Sequence, residues 1–147
     1  MGSLKPLLPV LEAPVIEGLL GRVDLRAYGG QLMYWACCEG LHEIVKLFLS
    51  KGVSATKPPE KVSGETGYRK SPFILHAVKS GCIETVDAIL EHGGKISECG
   101  FIGRSLEKKN IINSNAFGCA AWHGKDKMLE ALMKRYGSEH LEVKARE

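Results

Sequence analysis

The chain has 147 residues, enough for one domain to bury a core without metal or disulfide staples. With 44% hydrophobic and 25% charged residues it cannot be wholly disordered, and a net charge of +3 is too mild to point to nucleic acid or a membrane surface. The apolar runs fall far short of the ~20 residues of a spanning helix, so no membrane span is expected. Met1-Gly2-Ser3 opens without a hydrophobic signal core, and the five cysteines (Cys37, Cys38, Cys82, Cys99, Cys119) are odd in number with no CxxC pair. Reduced thiols in a cytosolic or nuclear compartment are the expectation.

In chain order, Pro14 to Asp24 reads as the tail of a truncated repeat or as an irregular capping helix. Three segments then share one pattern: small residues, a glycine, an apolar-periodic run and a second glycine. The first runs from Leu32 through Gly40 to Gly52, the second from Ile74 through Gly81 to Gly93, the third from Phe117 through Gly124 to Gly137. Gly40 and Gly81 are 41 residues apart, Gly81 and Gly124 43. Each unit predicts two short helices. Small residues (Ala36, Ala77, Ala120, Ala121) mark the first, and the glycine after it can supply a left-handed backbone that ends a helix. The second carries apolar residues at helical spacing: Ile44, Val45, Phe48 and Leu49; Val86, Ile89 and Leu90; Met128, Leu129 and Leu132. A helix of about ten residues is marginal alone, so these faces must be buried by stacking on neighbours.

Gly40-Leu41-His42-Glu43-Ile44-Val45-Lys46-Leu47-Phe48-Leu49 resembles the Gly-His-x-Glu-Ile-Val-Lys-Leu-Leu-Leu core of the ankyrin repeat, and the stretches after Gly81 and Gly124 echo it more loosely. The spacings exceed that family's period of about 33 residues by roughly eight and ten, so both connections must be lengthened. The resemblance implies an all-α, ankyrin-like solenoid of stacked helix-turn-helix units in a single domain over 1–147. Its expected parts are a partial or capping repeat at 14–29, repeats at 30–56, 71–97 and 114–138, and long loops at 57–70 and 98–113.

In the ankyrin family the first helices line a concave face and the loops project beside it. Carried over by position, the residues before each helix-ending glycine are Cys38 and Glu39, Lys79 and Ser80, and Trp122 and His123. Trp122 would make a good interface anchor, or would pack on the C-terminal cap; Trp35 sits nearer the helix–helix contact and is expected to pack there. The first long loop places Tyr68 and Arg69 among Lys57, Lys61 and Lys70. The second holds the apolar pair Phe101-Ile102 beside Arg104, Lys108 and Lys109, either against a partner or tucked onto the repeat.

Catalytic signals are thin. Cys119 and His123, four apart, would share a helix face, but Cys119 falls among Phe117, Ala120 and Ala121, where a small buried hydrophobe is expected. His42 and His76 read as structural or surface residues, and the sequence has no phosphate-binding glycine motif or serine-nucleophile elbow. No enzyme activity, metal, cofactor or small-molecule substrate is therefore expected. The expected function is recognition of another protein. The alternatives are binding of an anionic ligand (nucleic acid or a lipid headgroup) through the basic loops, diluted by Glu60, Glu65 and Glu107, and a spacer role within a larger enzyme.

Overall fold

A computed structural model of the chain describes residues 24–56, 71–107 and 110–146 together with Gly18 and Arg22; of residues 138–146 it describes the backbone. The chain is mostly helical. In order, the elements are α1 (Leu25–Cys38), α2 (His42–Ser50), α3 (Phe73–Ser80), α4 (Ile83–Glu91), β1 (Gly100–Arg104), β2 (Ile111–Ser114), α5 (Ala116–Trp122) and α6 (Asp126–Arg146). Helices pack in consecutive pairs, α1 on α2, α3 on α4 and α5 on α6. The first helices also form a row, α1 against α3 and α3 against α5, and the second helices a parallel row, α2 against α4 and α4 against α6. No helix among the described residues is long and apolar enough to cross a membrane.

Local chemistry sets the helix ends. The Asp24 carboxylate accepts from the Arg26 amide at 3.0 Å to start α1, and Asn115 Oδ1 accepts from the Gly118 amide at 3.1 Å to start α5. The first helices end in glycines in the left-handed region: Gly40 (φ 68°), Gly81 (φ 84°) and Gly124 (φ 66°). After α1 the Leu41 amide donates back to the Ala36 carbonyl at 3.0 Å, and after α5 the Lys125 amide donates to Ala120 at 2.8 Å. The same closure recurs after α2 (Val53 to Phe48, 3.1 Å) and α4 (Gly94 to Ile89, 2.9 Å), so one turn geometry is used four times. The α3 turn differs: the Cys82 amide donates instead to the Ser80 hydroxyl at 3.3 Å.

The core lies between the two rows. Ala36, Ala77 and Ala120, each four residues before its glycine, are fully buried with Phe48, Phe73, Val86, Ile89 and Leu132. Trp35 is buried as expected, and Tyr34 meets buried His76 edge to face with ring centroids 4.8 Å apart. On the second row Asp87 of α4 ties down α6: it accepts from the Tyr136 hydroxyl at 2.5 Å and pairs with the Arg135 guanidinium.

Three features depart from the sequence reading. Residues 98–113 are not simply a long loop but contain an antiparallel hairpin, so the fold is helical with one small sheet. α1 begins at Leu25, inside the segment expected to belong to the preceding repeat or cap, because Asp24 supplies the cap. α6 does not stop at Gly137 but runs to Arg146. A mid-helix glycine costs only about 1 kcal/mol, and the helix formers Glu139, Leu141, Glu142, Lys144 and Ala145 that follow outweigh it. The rest of the 14–29 segment and the 57–70 loop lie outside the described residues, apart from Gly18, Arg22 and the stretch from Asp24 onward.

Asp87→Ala removes the shared acceptor and is expected to lower unfolding free energy by about 1–3 kcal/mol in urea titrations. Arg135→Ala, whose guanidinium is half exposed, should cost about 0–1 kcal/mol. Burial, then the hydrogen bond and charge of Asp87, push the Tyr136 phenol up to about 12. The folded state thus holds a proton that the unfolded chain releases near pH 10, so this contribution is complete below pH 10 and is lost between 10 and 12. Tyr136→Phe should remove that loss from the alkaline limb of the stability–pH curve.

Candidate partner-binding surface

The hairpin departs from simple strand alternation. Gly100 pairs with Ser114, Phe101 with Asn113, Gly103 with Ile112 and Arg104 with Ile111, with a bulge between Phe101 and Gly103. A bulge inserts one extra residue and re-aims the side chains beyond it. Here it brings Phe101 and Arg104, three residues apart, onto the same face as Ile111 and Asn113. Gly100 and Gly103 share the opposite face, towards the helices. A Cβ at Gly100 would meet Pro72 Cδ at 2.7 Å and Leu75 Cδ1 at 3.1 Å; a Cβ at Gly103 would collide with the Trp122 indole nitrogen, with Cε2 at 2.8 Å. Two bare backbone positions therefore let the hairpin lie directly on α3 and on the end of α5. The Ser71 hydroxyl donates to the Phe101 carbonyl at 3.2 Å, and Ile102 is buried beneath.

The outward face borders a groove of about 380 Å³ lined by Ser71, Pro72, Cys99, Phe101, Arg104 and Asn113, among others. It combines apolar walls (Pro72, Phe101) with a cation (Arg104) and amide and hydroxyl groups, the mixture suited to an extended peptide segment. On its other side Trp122 stands 47% exposed with its indole against Gly103. Leu106 at the hairpin tip and Ile111 on β2 are also exposed, at 96% and 56%. Sequence reasoning missed both; the apolar pairs Phe101-Ile102 and Ile111-Ile112 on either side of a polar turn were the available hairpin signal.

The structure brings Lys79, Trp122 and His123 together near the hairpin. Lys79 is exposed, and its charge acts on His123. Burial foremost, then Lys79, hold the His123 imidazole below its usual range, against a hydrogen bond with the Ile102 backbone. Glu39 is exposed at the end of α1, on the first pair. Ser80 serves the turn: its hydroxyl donates to the Ala77 carbonyl at 2.6 Å and accepts from the Cys82 amide. Tyr68 and Arg69, with Lys57, Lys61, Lys70, Lys108 and Lys109, lie outside the described residues. Cys119 does not pair with His123; its thiol is turned to the Leu75 carbonyl at 3.5 Å, and burial pushes it up to about 11.

One further group of side chains meets at the turns. His42 after α1 and Cys82 and Glu84 after α3 place an imidazole nitrogen, a sulfur and a carboxylate oxygen within 4.8 Å of one another. No protein-family model, curated protein or solved structure matched the chain.

Gly103→Ala is expected to displace the Trp122 indole without unfolding the chain. In a Trp35→Phe background, where Trp122 alone fluoresces, acrylamide quenching should rise measurably; unchanged quenching would mean that the indole does not rest on Gly103.

Proposed function

We propose that the chain is a small ankyrin-like repeat module that recognises another protein and catalyses no reaction itself. The paired helices, the two rows, and the left-handed glycines at matching positions support the repeat reading. The observation that carries the functional reading is Trp122: a large aromatic side chain left 47% exposed and braced on Gly103 of a hairpin that also exposes Leu106 and Ile111. A braced aromatic loses little conformational freedom on binding, and tryptophan and arginine dominate interface energetics. The contact surface in this reading is the end of the first-helix row together with the outward face of the hairpin, with Phe101 and Arg104 in the groove. The protonated, inward-turned thiol of Cys119 supports a non-catalytic reading, since the thiolate is the nucleophilic form.

The test compares proteins retained from a lysate by the immobilised chain and by a Trp122→Ala, Lys79→Glu variant of matched melting temperature. Loss of a hot-spot tryptophan is worth about 2 kcal/mol or more, so the partner's affinity should fall about 30-fold. Equal retention by both forms would overturn this surface. A steep fall in binding with salt, tracking counterion release from phosphates, would instead favour the anionic-ligand alternative.

A further inference from the structure

The turn after α1 and the turn after α3 lie against each other. A Cβ at Gly40 would meet Cys82 Cβ at 3.2 Å and Ser80 Oγ at 3.3 Å, so the glycine that ends α1 also lets the two turns touch. This contact brings residues 40 positions apart into one cluster: Cys82 Sγ lies 3.8 Å from His42 Nδ1 and 3.2 Å from Glu84 Oε2. Ligands held tetrahedrally at ordinary zinc distances (about 2.0–2.3 Å) stand roughly 3.4–3.6 Å from one another, so the two sulfur separations bracket what an ion requires, and the imidazole and carboxylate, within 4.8 Å of each other, close on the ion as it binds.

The imidazole is set for the same task. His42 Nε2 lies 3.2 Å from Glu43 Oε1, which is placed to accept a hydrogen bond from Nε2–H and so keep the Nδ1 lone pair facing Cys82. A carboxylate behind a histidine is the usual arrangement for orienting a ligating ring and raising its basicity. Arg135, whose charge also reaches Glu84, is engaged with Asp87. The mixed set of thiolate, imidazole and carboxylate suits a borderline-soft, tetrahedral ion better than a hard, oxygen-seeking one.

We propose that His42 Nδ1, Cys82 Sγ and Glu84 Oε2 form a binding site for a zinc-class divalent transition-metal ion that joins the first two helix pairs. On binding, the Cys82 thiol gives up its proton to solvent, and the sulfur and the carboxylate oxygen that faced each other across that proton both turn lone pairs to the ion. Glu84 is exposed and His42 half-buried, so the fourth position faces water, which completes the coordination or yields to a ligand from outside. The ion ties one turn to the next and stabilises the stack by mass action. The site stands independently of the partner-binding surface, which lies at the hairpin.

Cobalt(II) is the direct probe. Chelator-stripped chain titrated with Co²⁺ should show one equivalent bound, with a thiolate-to-cobalt charge-transfer band and the strong visible bands of a tetrahedral ion, displaced by Zn²⁺. Cys82→Ser should abolish the thiolate band, and Cys99→Ser should leave it intact. Glu43→Gln, which removes the group behind the ring, should weaken affinity about tenfold. Zn²⁺ at a hundredfold excess over its Kd should raise the melting temperature of the unaltered chain by about 5–10 °C and leave Glu84→Gln nearly unmoved. Glu84 is at the surface, so this variant keeps the test decisive even if Cys82→Ser folds poorly. No thiolate band at one equivalent, or a band that survives Cys82→Ser and vanishes in Cys99→Ser, overturns the site.

Discussion

Ala36, Ala77 and Ala120 occupy one position in the first helices of three successive pairs, four residues before Gly40, Gly81 and Gly124, and each is fully buried. The close approach of these helices is the constraint on which the other features depend. α3 and α5 have eight and seven residues, too few to persist alone in water, so they exist because neighbours bury their faces. A methyl group at the point of contact lets α1, α3 and α5 lie side by side, whereas a larger side chain there would force rotamer strain or displacement costing about 1–3 kcal/mol. With that row in place, the second helices stand beside it with Phe48, Val86, Ile89 and Leu132 turned inward.

The same packing decides where chemistry-bearing groups meet. Stacking helices with their glycine ends in register places a turn next to the turn of the adjacent pair, so residues one repeat apart in sequence become spatial neighbours. Gly40 against Ser80 and Cys82 is the tightest instance, and it explains why His42, Cys82 and Glu84 share one small volume although no local spacing joins them. The Ser80 hydroxyl takes the Cys82 amide, where the turns after α1 and α5 use a backbone carbonyl, so the second turn relies on a side chain for closure. That serine therefore closes the turn after α3.

The hairpin follows a different rule. Its two faces are distinguished by side-chain volume: glycines towards the helices, and Phe101, Arg104, Ile111 and Asn113 outward, with the bulge correcting the alternation between Phe101 and Arg104. Placing bare backbone against Pro72, Leu75 and Trp122 fixes the sheet to the stack and braces the indole at the same time. The contrast between the tryptophans is instructive. Trp35 is buried among the helices at 7% exposure, whereas Trp122, the last residue of α5, lies against Gly103 of the hairpin and stays 47% exposed.

Much of this was legible along the chain because helix formation is a local matter. Apolar periodicity located α2, α4 and the start of α6, and the glycine spacing located the turns, since a left-handed residue after a helix is a demand of that residue's own backbone. The burial of Trp35 and Cys119 followed from their neighbours in the helix. What remained hidden depended on contacts between distant residues. The hairpin was read as a loop because its strands are four and five residues long and gain their order from Ser71, α3 and Trp122. Gly137 looked like a terminator because it matched the other glycines in position, yet the residues after it continue the helix. The grouping of His42 with Cys82 and Glu84 left no motif, because ligand spacing on one element is visible in sequence and the meeting of two turns is not. Sequence alone determined which segments could be helices and which faces they had to bury; only the tertiary structure decided which turns would touch, because that contact is set by how closely the helices pack.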